Sequence, residues 1–158
     1  MFTISNYVGY FARHVSIYYI LISVAIAIIS TYILKNYLKG FLVGYSFLVF
    51  AETILMRGSS EGYDYRLKLF WSYSHPEEKV QIILNILMFI PIGILGWLVF
   101  KKWVFVYSIG FSLFIETLQL ITKRGIFEFD DIFHNMLGAT VGIILCAILS
   151  KLINRREL

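Results

Sequence analysis

Five apolar runs constrain this chain more than any other feature. Residues 15–34, 40–56, 80–100, 103–121 and 132–153 each approach the length a helix needs to cross a bilayer, about 20 mostly apolar residues. The first run carries no charge, and the second is slightly short and holds Glu52. Lipid offers the backbone no hydrogen-bond partner, so each run must satisfy itself as a helix. The longest connection, 57–79, is too short for a soluble domain. Composition agrees: 59% of residues are apolar, 18% aromatic and only 15% charged, with a mean hydropathy of +0.76. A soluble domain averages about 45–50% apolar and about 25% charged. A soluble globule and a disordered chain are therefore both excluded. The expected fold is all-α: a polytopic integral membrane helical bundle of about five transmembrane helices, a single domain over residues 1–158. The lone cysteine, Cys146, excludes a disulfide framework or a CxxC metal site and reads as an inert buried thiol.

Residues 1–14 lack the basic start and small-residue cleavage pattern of a signal peptide. Phe2, Tyr7, Tyr10 and Phe11 fall near helical spacing, which leaves an interfacial helix or a tail as alternatives. An odd number of spans places the termini on opposite sides. Lys35, Lys39, Lys101, Lys102, Lys151, Arg155 and Arg156 flank one side. Arg13, Arg57, Arg66, Lys68, Lys79, Lys123 and Arg124 flank the other, where acids offset them. The first set is concentrated in very short loops and the C-terminal tail, so that side is expected to be cytoplasmic and the N-terminus outside.

Ionisable residues at membrane depth are costly and usually face a partner or a wet cavity. At 1.5 Å per residue, Glu52, Asn85, Glu116, Gln119 and Asn135 lie roughly 6–12 Å from the charges that end their spans. The spans alternate in direction, yet all five residues fall in the half nearest the expected outer face. One polar layer, supplied by four spans and open to one side, is predicted. Glu116, Gln119 and Lys123 share a helix face, as do Asp131, Asn135, Gly138 and Gly142. The two glycines suit close helix packing. Asp130 and Asp131 read either as acids at the positive end of a helix or as part of the site. His134 reads as an interface histidine or as a general base. Pro91 removes one backbone hydrogen bond and would kink its span, splaying the outer half.

Taken together, these residues resemble the VanZ-like family. One matching block runs from Asn85 through Pro91 to Gly93, NILMFIPIG. The second holds Glu116, Gln119, Arg124, Asp130, Asp131, Asn135, Gly138 and Gly142 within ETLQLITKRGIFEFDDIFHNMLGATVG. A third joins Thr53 and Arg57 to the run Leu67 to Trp71, where this sequence departs from the family's usual Asn-Leu-x-Pro-Phe pattern. The resemblance covers roughly residues 40–150. It implies a small multispanning protein of the bacterial plasma membrane linked to the cell envelope, in a family named for a protein associated with teicoplanin resistance. It implies no particular reaction.

The expected binding layer comprises Arg57, Asn85, Glu116, Gln119, Arg124, Asp130, Asp131 and Asn135. Arginine pairs with phosphate through two parallel bonds, and amides and carboxylates suit sugar hydroxyls or a peptide. Such a layer fits a membrane lipid, a lipid-linked cell-wall precursor or a lipoglycopeptide antibiotic, bound or shielded without a cofactor or resident metal. The alternative is a membrane-embedded enzyme on the same lipid class. Glu116 with Asp130 or Asp131 would then act as acid and base, or hold a divalent cation. A third reading is a scaffold in which the layer only holds the helices together. Basic residues at span ends give no nucleic-acid patch.

Overall fold

The computed structural model describes residues 17–59 and 63–154. The alternatives for residues 1–14 lie outside them. Five helices follow one another: α1 Ile17–Leu34, α2 Tyr37–Phe50, α3 Lys79–Phe100, α4 Val104–Thr122 and α5 Phe129–Asn154. By length and composition the described residues hold four stretches able to cross a membrane. The third, Pro76–Thr122, contains both α3 and α4. Lys101, with φ 53°, breaks the α-helical run there, and a 3₁₀ turn at Lys101–Trp103 joins two helices that pack on each other. The membrane bundle read from the sequence is therefore the observed fold, with most span limits displaced by one to three residues. The polar starts of α2 and α5 account for much of that, since Tyr37–Lys39 and Phe129–Asp131 are helical although hydropathy alone does not include them.

Sequence composition sets the packing. α1 carries Ile, Tyr, Leu and Val over most of its surface, with Ser23, Ala27 and Thr31 on the face that packs against α2. That contact is close because Gly40 and Gly44 of α2 face Thr31, Ala27 and Ser23, where a Cβ would collide. Ser23 Oγ donates to the Gly44 carbonyl at 2.6 Å. The most extensive contact joins α3 and α5, which run in parallel with α4 returning between them. Gly138 lies on the Ile86 carbonyl, Gly142 on that of Ile90, and Gly93 on that of Ala139. The glycine pair read as a packing motif does that work from α5, and Gly93 does it from α3. Pro91 lies inside α3, which remains helical through it. The α3 and α5 backbones touch on either side of the proline, so the outer half of α3 stays against α5 there. The Met88 carbonyl, in the turn before Pro91, instead accepts from Tyr45 Oη of α2 at 3.0 Å. The apolar centre comprises Leu42, Val49, Phe89, Ile92, Ile115 and Ala139, and Cys146 is buried further along α5.

Two features near the ends of the spans are absent from the hydropathy pattern. The last turn of the second span is a π-helix, Ala51–Leu55. The two longer connections pair as short parallel strands, β1 Tyr65–Arg66 with β2 Phe127–Glu128. Both features lie at the same end of the bundle as the start of α3, the end of α4 and the start of α5.

Candidate functional site at the polar end

At that end Asp131 projects from the first turn of α5 onto α3, where Gln81 Nε2 donates to Oδ2 at 2.8 Å. Asn85, one turn beyond Gln81, also interacts with Asp131, although its Nδ2 makes no well-formed hydrogen bond. One turn along α5, Asn135 Nδ2 donates to Ser112 Oγ of α4 at 2.9 Å. One turn beyond Ser112 stands Glu116, only 1% exposed, whose Oε2 accepts from the Glu128 backbone N–H at 2.9 Å. Helical periodicity therefore stacks Asp131 over Asn135 on α5 and Glu116 over Ser112 on α4, with the two faces opposed. Gln119, on the same face as Glu116, donates through Nε2 to the Thr53 carbonyl at 3.3 Å. Asn85, Glu116, Gln119, Asp131 and Asn135 are thus brought together at one end of the bundle.

Arg57, just past the π turn, is the cation of this cluster. Its guanidinium acts electrostatically on Glu116, Glu128 and Asp131, though none of them lies in direct ion-pair contact with it. The Arg57 Nη1 and Gln119 Cδ both press on Gly125, at 2.9 and 3.1 Å from where a Cβ would stand. Any side chain at 125 would displace one of them. This is the close approach that the small residue in the Lys123–Asp130 connection permits.

Two residues expected in the layer have other partners. Arg124 Nη1 donates to the carbonyls of Ile54 and Leu55 at 3.2 and 3.1 Å. With Gln119 on Thr53, it satisfies three successive carbonyls that the π-helical end of the second span leaves unbonded. Arg124 is thus a cap of that span and forms no ion pair with Asp131 among the described residues. Asp130 points to the other side of α5 from Asp131. It accepts from the Phe70 and Ser72 backbone N–H groups and from Ser72 Oγ, the last at 2.6 Å. It pins the 63–75 connection to the helix start and does not cap its own helix. His134 is fully buried beneath the same connection, with Nε2 3.2 Å from Tyr73 Oη. Glu52 lies half-buried on the π turn.

Four participants were not singled out from the sequence as members of this site. Glu128, 4% exposed, bonds Arg66 Nη1 at 3.1 Å, and Arg66 also reaches Glu78 at 3.7 Å and covers the Trp71 ring at 4.0 Å. Burial, then the nearby Asp131 carboxylate, push Glu128 from its ordinary range up to about 7, against the opposing pull of Arg66. Gln81, Ser112 and Arg66 complete the set. Gln81 had a detectable signal, since it stands one turn before Asn85 on the same face. The others depend on pairing between distant loops. Among the described residues no three His, Cys, Asp or Glu side chains converge as a cation site.

The buried polar atoms are not all matched. Asn85 Nδ2, Gln119 Oε1 and Asn135 Oδ1 have no hydrogen-bond partner. Each such group carries a cost of about 1–3 kcal/mol unless something bonds it. A helical membrane bundle with a buried, acid-rich and incompletely matched polar cluster at one end is thereby defined. Residues 15–150 match the family model VanZ/LLP1, and the chain belongs to that family. No curated protein and no solved structure matches it.

Proposed function

We propose that the polar end binds, and by binding shields, the head group of a lipid-linked envelope component or of a lipoglycopeptide with its acyl chain in the membrane. The observation that carries this reading is the cluster around Arg57: Glu116, Glu128 and Asp131 with three amides whose polar atoms are unmatched, all at one end of an otherwise apolar bundle. A pure scaffold is expected to match its buried polar atoms internally. Kinship with VanZ/LLP1 supports a link to glycopeptide resistance. The distribution of basic residues between short and long loops supports a plasma-membrane protein with the polar end outward, N-terminus outside and C-terminus in the cytoplasm. Asn85, Gln119 and Asn135 then serve as ligand-bonding amides and Arg57 as the cation. Arg124 and Asp130 support the site by holding the second span and the 63–75 connection.

An enzymatic reading draws on one observation. Glu116 and Asp131 are buried close enough to influence one another, an arrangement that serves general acid and base. Turnover of lipid-linked precursors by the purified chain, lost in Glu116→Gln, would establish it.

The test of the binding reading is glycopeptide susceptibility measured beside membrane abundance, in a host whose susceptibility the wild-type chain shifts. Glu116→Gln retains shape and an acceptor for the Glu128 N–H. Arg57→Lys retains charge and loses the planar fork. Both variants are expected to lose the shift at unchanged abundance. A wild-type shift from both would leave the scaffold reading.

A further inference from the structure

We propose that the 63–75 connection lies in the head-group layer of the membrane, with Leu67, Leu69 and Phe70 set into the acyl boundary of the bilayer that the helices cross. This surface is independent of the binding reading above. The connection reads YDYRLKLFWSYSH, an interleaving of aromatic, leucine and basic residues. That mixture suits the border of lipid and water, where amphipathic rings and long cationic side chains sit. The structure sorts it by face. Arg66 turns inward to Glu128 at 3.1 Å and covers the Trp71 ring. Tyr65, Leu67, Leu69, Phe70 and Tyr73 are between 48% and 67% exposed. An apolar stretch left open in this way marks a contact with a protein or a membrane.

Two observations assign the bilayer as that partner. The first is continuity with lipid-facing surface. The Phe70 ring meets that of Phe133 edge-on, with centroids 5.2 Å apart. Phe133 heads a strip of α5 that runs on through Leu137, Val141, Ile144 and Ile148 at helical spacing, and those four are exposed along the span. The crossing needs about 20 residues, and counted back from Leu152 they end at Phe133. Phe70 therefore closes the lipid-facing strip where the hydrocarbon ends. The second observation is how the connection is held. Phe70 has φ 64°, a left-handed conformation that bulky side chains rarely adopt. Its N–H and that of Ser72 are both fixed by Asp130 in the first turn of α5. The backbone is tied to the start of a membrane helix, and a strained residue turns its ring onto that helix's lipid face. The tie keeps Leu67 and Leu69 at the bilayer surface, with the exposed Lys68 between them placed to reach lipid phosphates. It also sets the first turn of α5, and Asp131 with it, at head-group level.

The experiment uses the full chain carrying Cys146→Ala, reconstituted in phosphatidylcholine nanodiscs with a nitroxide on one introduced cysteine at a time. Leu67→Cys and Leu69→Cys are compared with Ile144→Cys within the span and with Glu77→Cys in the exposed turn before α3. Collision with oxygen, which concentrates in lipid, is measured against collision with a water-soluble nickel chelate. The oxygen-to-nickel ratio at 67 and 69 is expected to shift from the value at 77 toward that at 144. Tyr65→Cys supplies a further position if either leucine variant does not accumulate, and thermal unfolding of each labelled chain checks that the fold is kept. A ratio at 67 and 69 equal to that at 77 places the connection in water and overturns the inference. Low collision with both reagents, the mark of cover by a protein or by a second copy of this chain, overturns it as well.

Discussion

The two halves of the α3–α5 seam solve one problem in opposite ways. Two helices in lipid gain little from apolar contact and need either close backbone approach or polar bonds between them. Toward the apolar end, Gly93, Gly138 and Gly142 remove side chains so that each backbone rests on the other's carbonyls. Toward the polar end, Gln81 and Asn85 of α3 meet Asp131 of α5 through their side chains, and Asn135, one turn on, bonds Ser112 of α4. The glycine half is complete in itself. The polar half leaves amide atoms unmatched, and a structure that could have closed the gap with two more glycines keeps costly groups instead. The difference teaches that one half of the seam holds by close backbone approach alone, while the other relies on buried polar side chains of which some atoms stay unmatched.

The largest expected effect lies in the glycine half. Gly142→Leu places a branched side chain against the Ile90 carbonyl, which is backbone and cannot give way. A loss of about 3 kcal/mol or more is expected, at the upper end of overpacking. The readout is membrane abundance and thermal unfolding of the purified chain. Near-normal values for both would show that the seam is not the determinant of assembly. A second break falls on the other side of α5. Asp130→Ala removes the acceptor of two backbone N–H groups and one hydroxyl from the 63–75 connection. The loop should open locally at a cost of about 2–4 kcal/mol while the helices persist. Faster amide exchange at Phe70 and Ser72 with unchanged helix protection would record it.

Sequence reasoning separates these regions unevenly. Hydropathy alone located all five helices, because span length in lipid is set by a single physical dimension. The glycine face and the shared polar layer were also legible, since both rest on the 3.6-residue period within one helix. Arg124 and Asp130 were assigned to the layer for what their side chains can bond, but their partners are main-chain atoms of Ile54, Leu55, Phe70 and Ser72. Main-chain partners leave no trace in residue identity. The β1–β2 pair and Glu128 were missed for a related reason, as two strands of two residues each carry no alternation to read.

Arg57 and Arg124 sharpen the comparison further. Arg124→Ala exposes the Ile54 and Leu55 carbonyls at a helix end and should lower stability by about 1–2 kcal/mol. The conservative Arg124→Lys should recover part of it, because a carbonyl needs only a donor. Arg57→Lys should retain stability and lose the susceptibility shift. Thermal unfolding and susceptibility, measured on both pairs, separate a cap from a site residue. Equal effects of the two lysine variants on both readouts would erase the distinction.

The smallest effect is a pH dependence at the junction of the polar half with its loops. Glu128 is held up to about 7 in the folded chain, above the ordinary 4.5, chiefly by burial and by the Asp131 carboxylate. A raised folded value means that the folded state prefers the proton. The contribution to β1–β2 docking is therefore fully present below about pH 4.5 and is lost as pH rises through about 7. Above that range the carboxylate is charged and Arg66, at 3.1 Å, only partly offsets its burial. Amide exchange at Tyr65, Arg66 and Phe127, corrected for the intrinsic pH dependence of exchange, should show protection falling between pH 5 and 8. Glu128→Gln carries no proton to lose and should flatten that profile. It also gives up the ion pair with the half-exposed Arg66, a change of only about 0–1 kcal/mol, so its overall protection should stay close to that of the wild-type chain at low pH. Protection in the wild-type chain that instead rises with pH would mean that the Arg66 pair outweighs burial, and that the loop junction is held by charge.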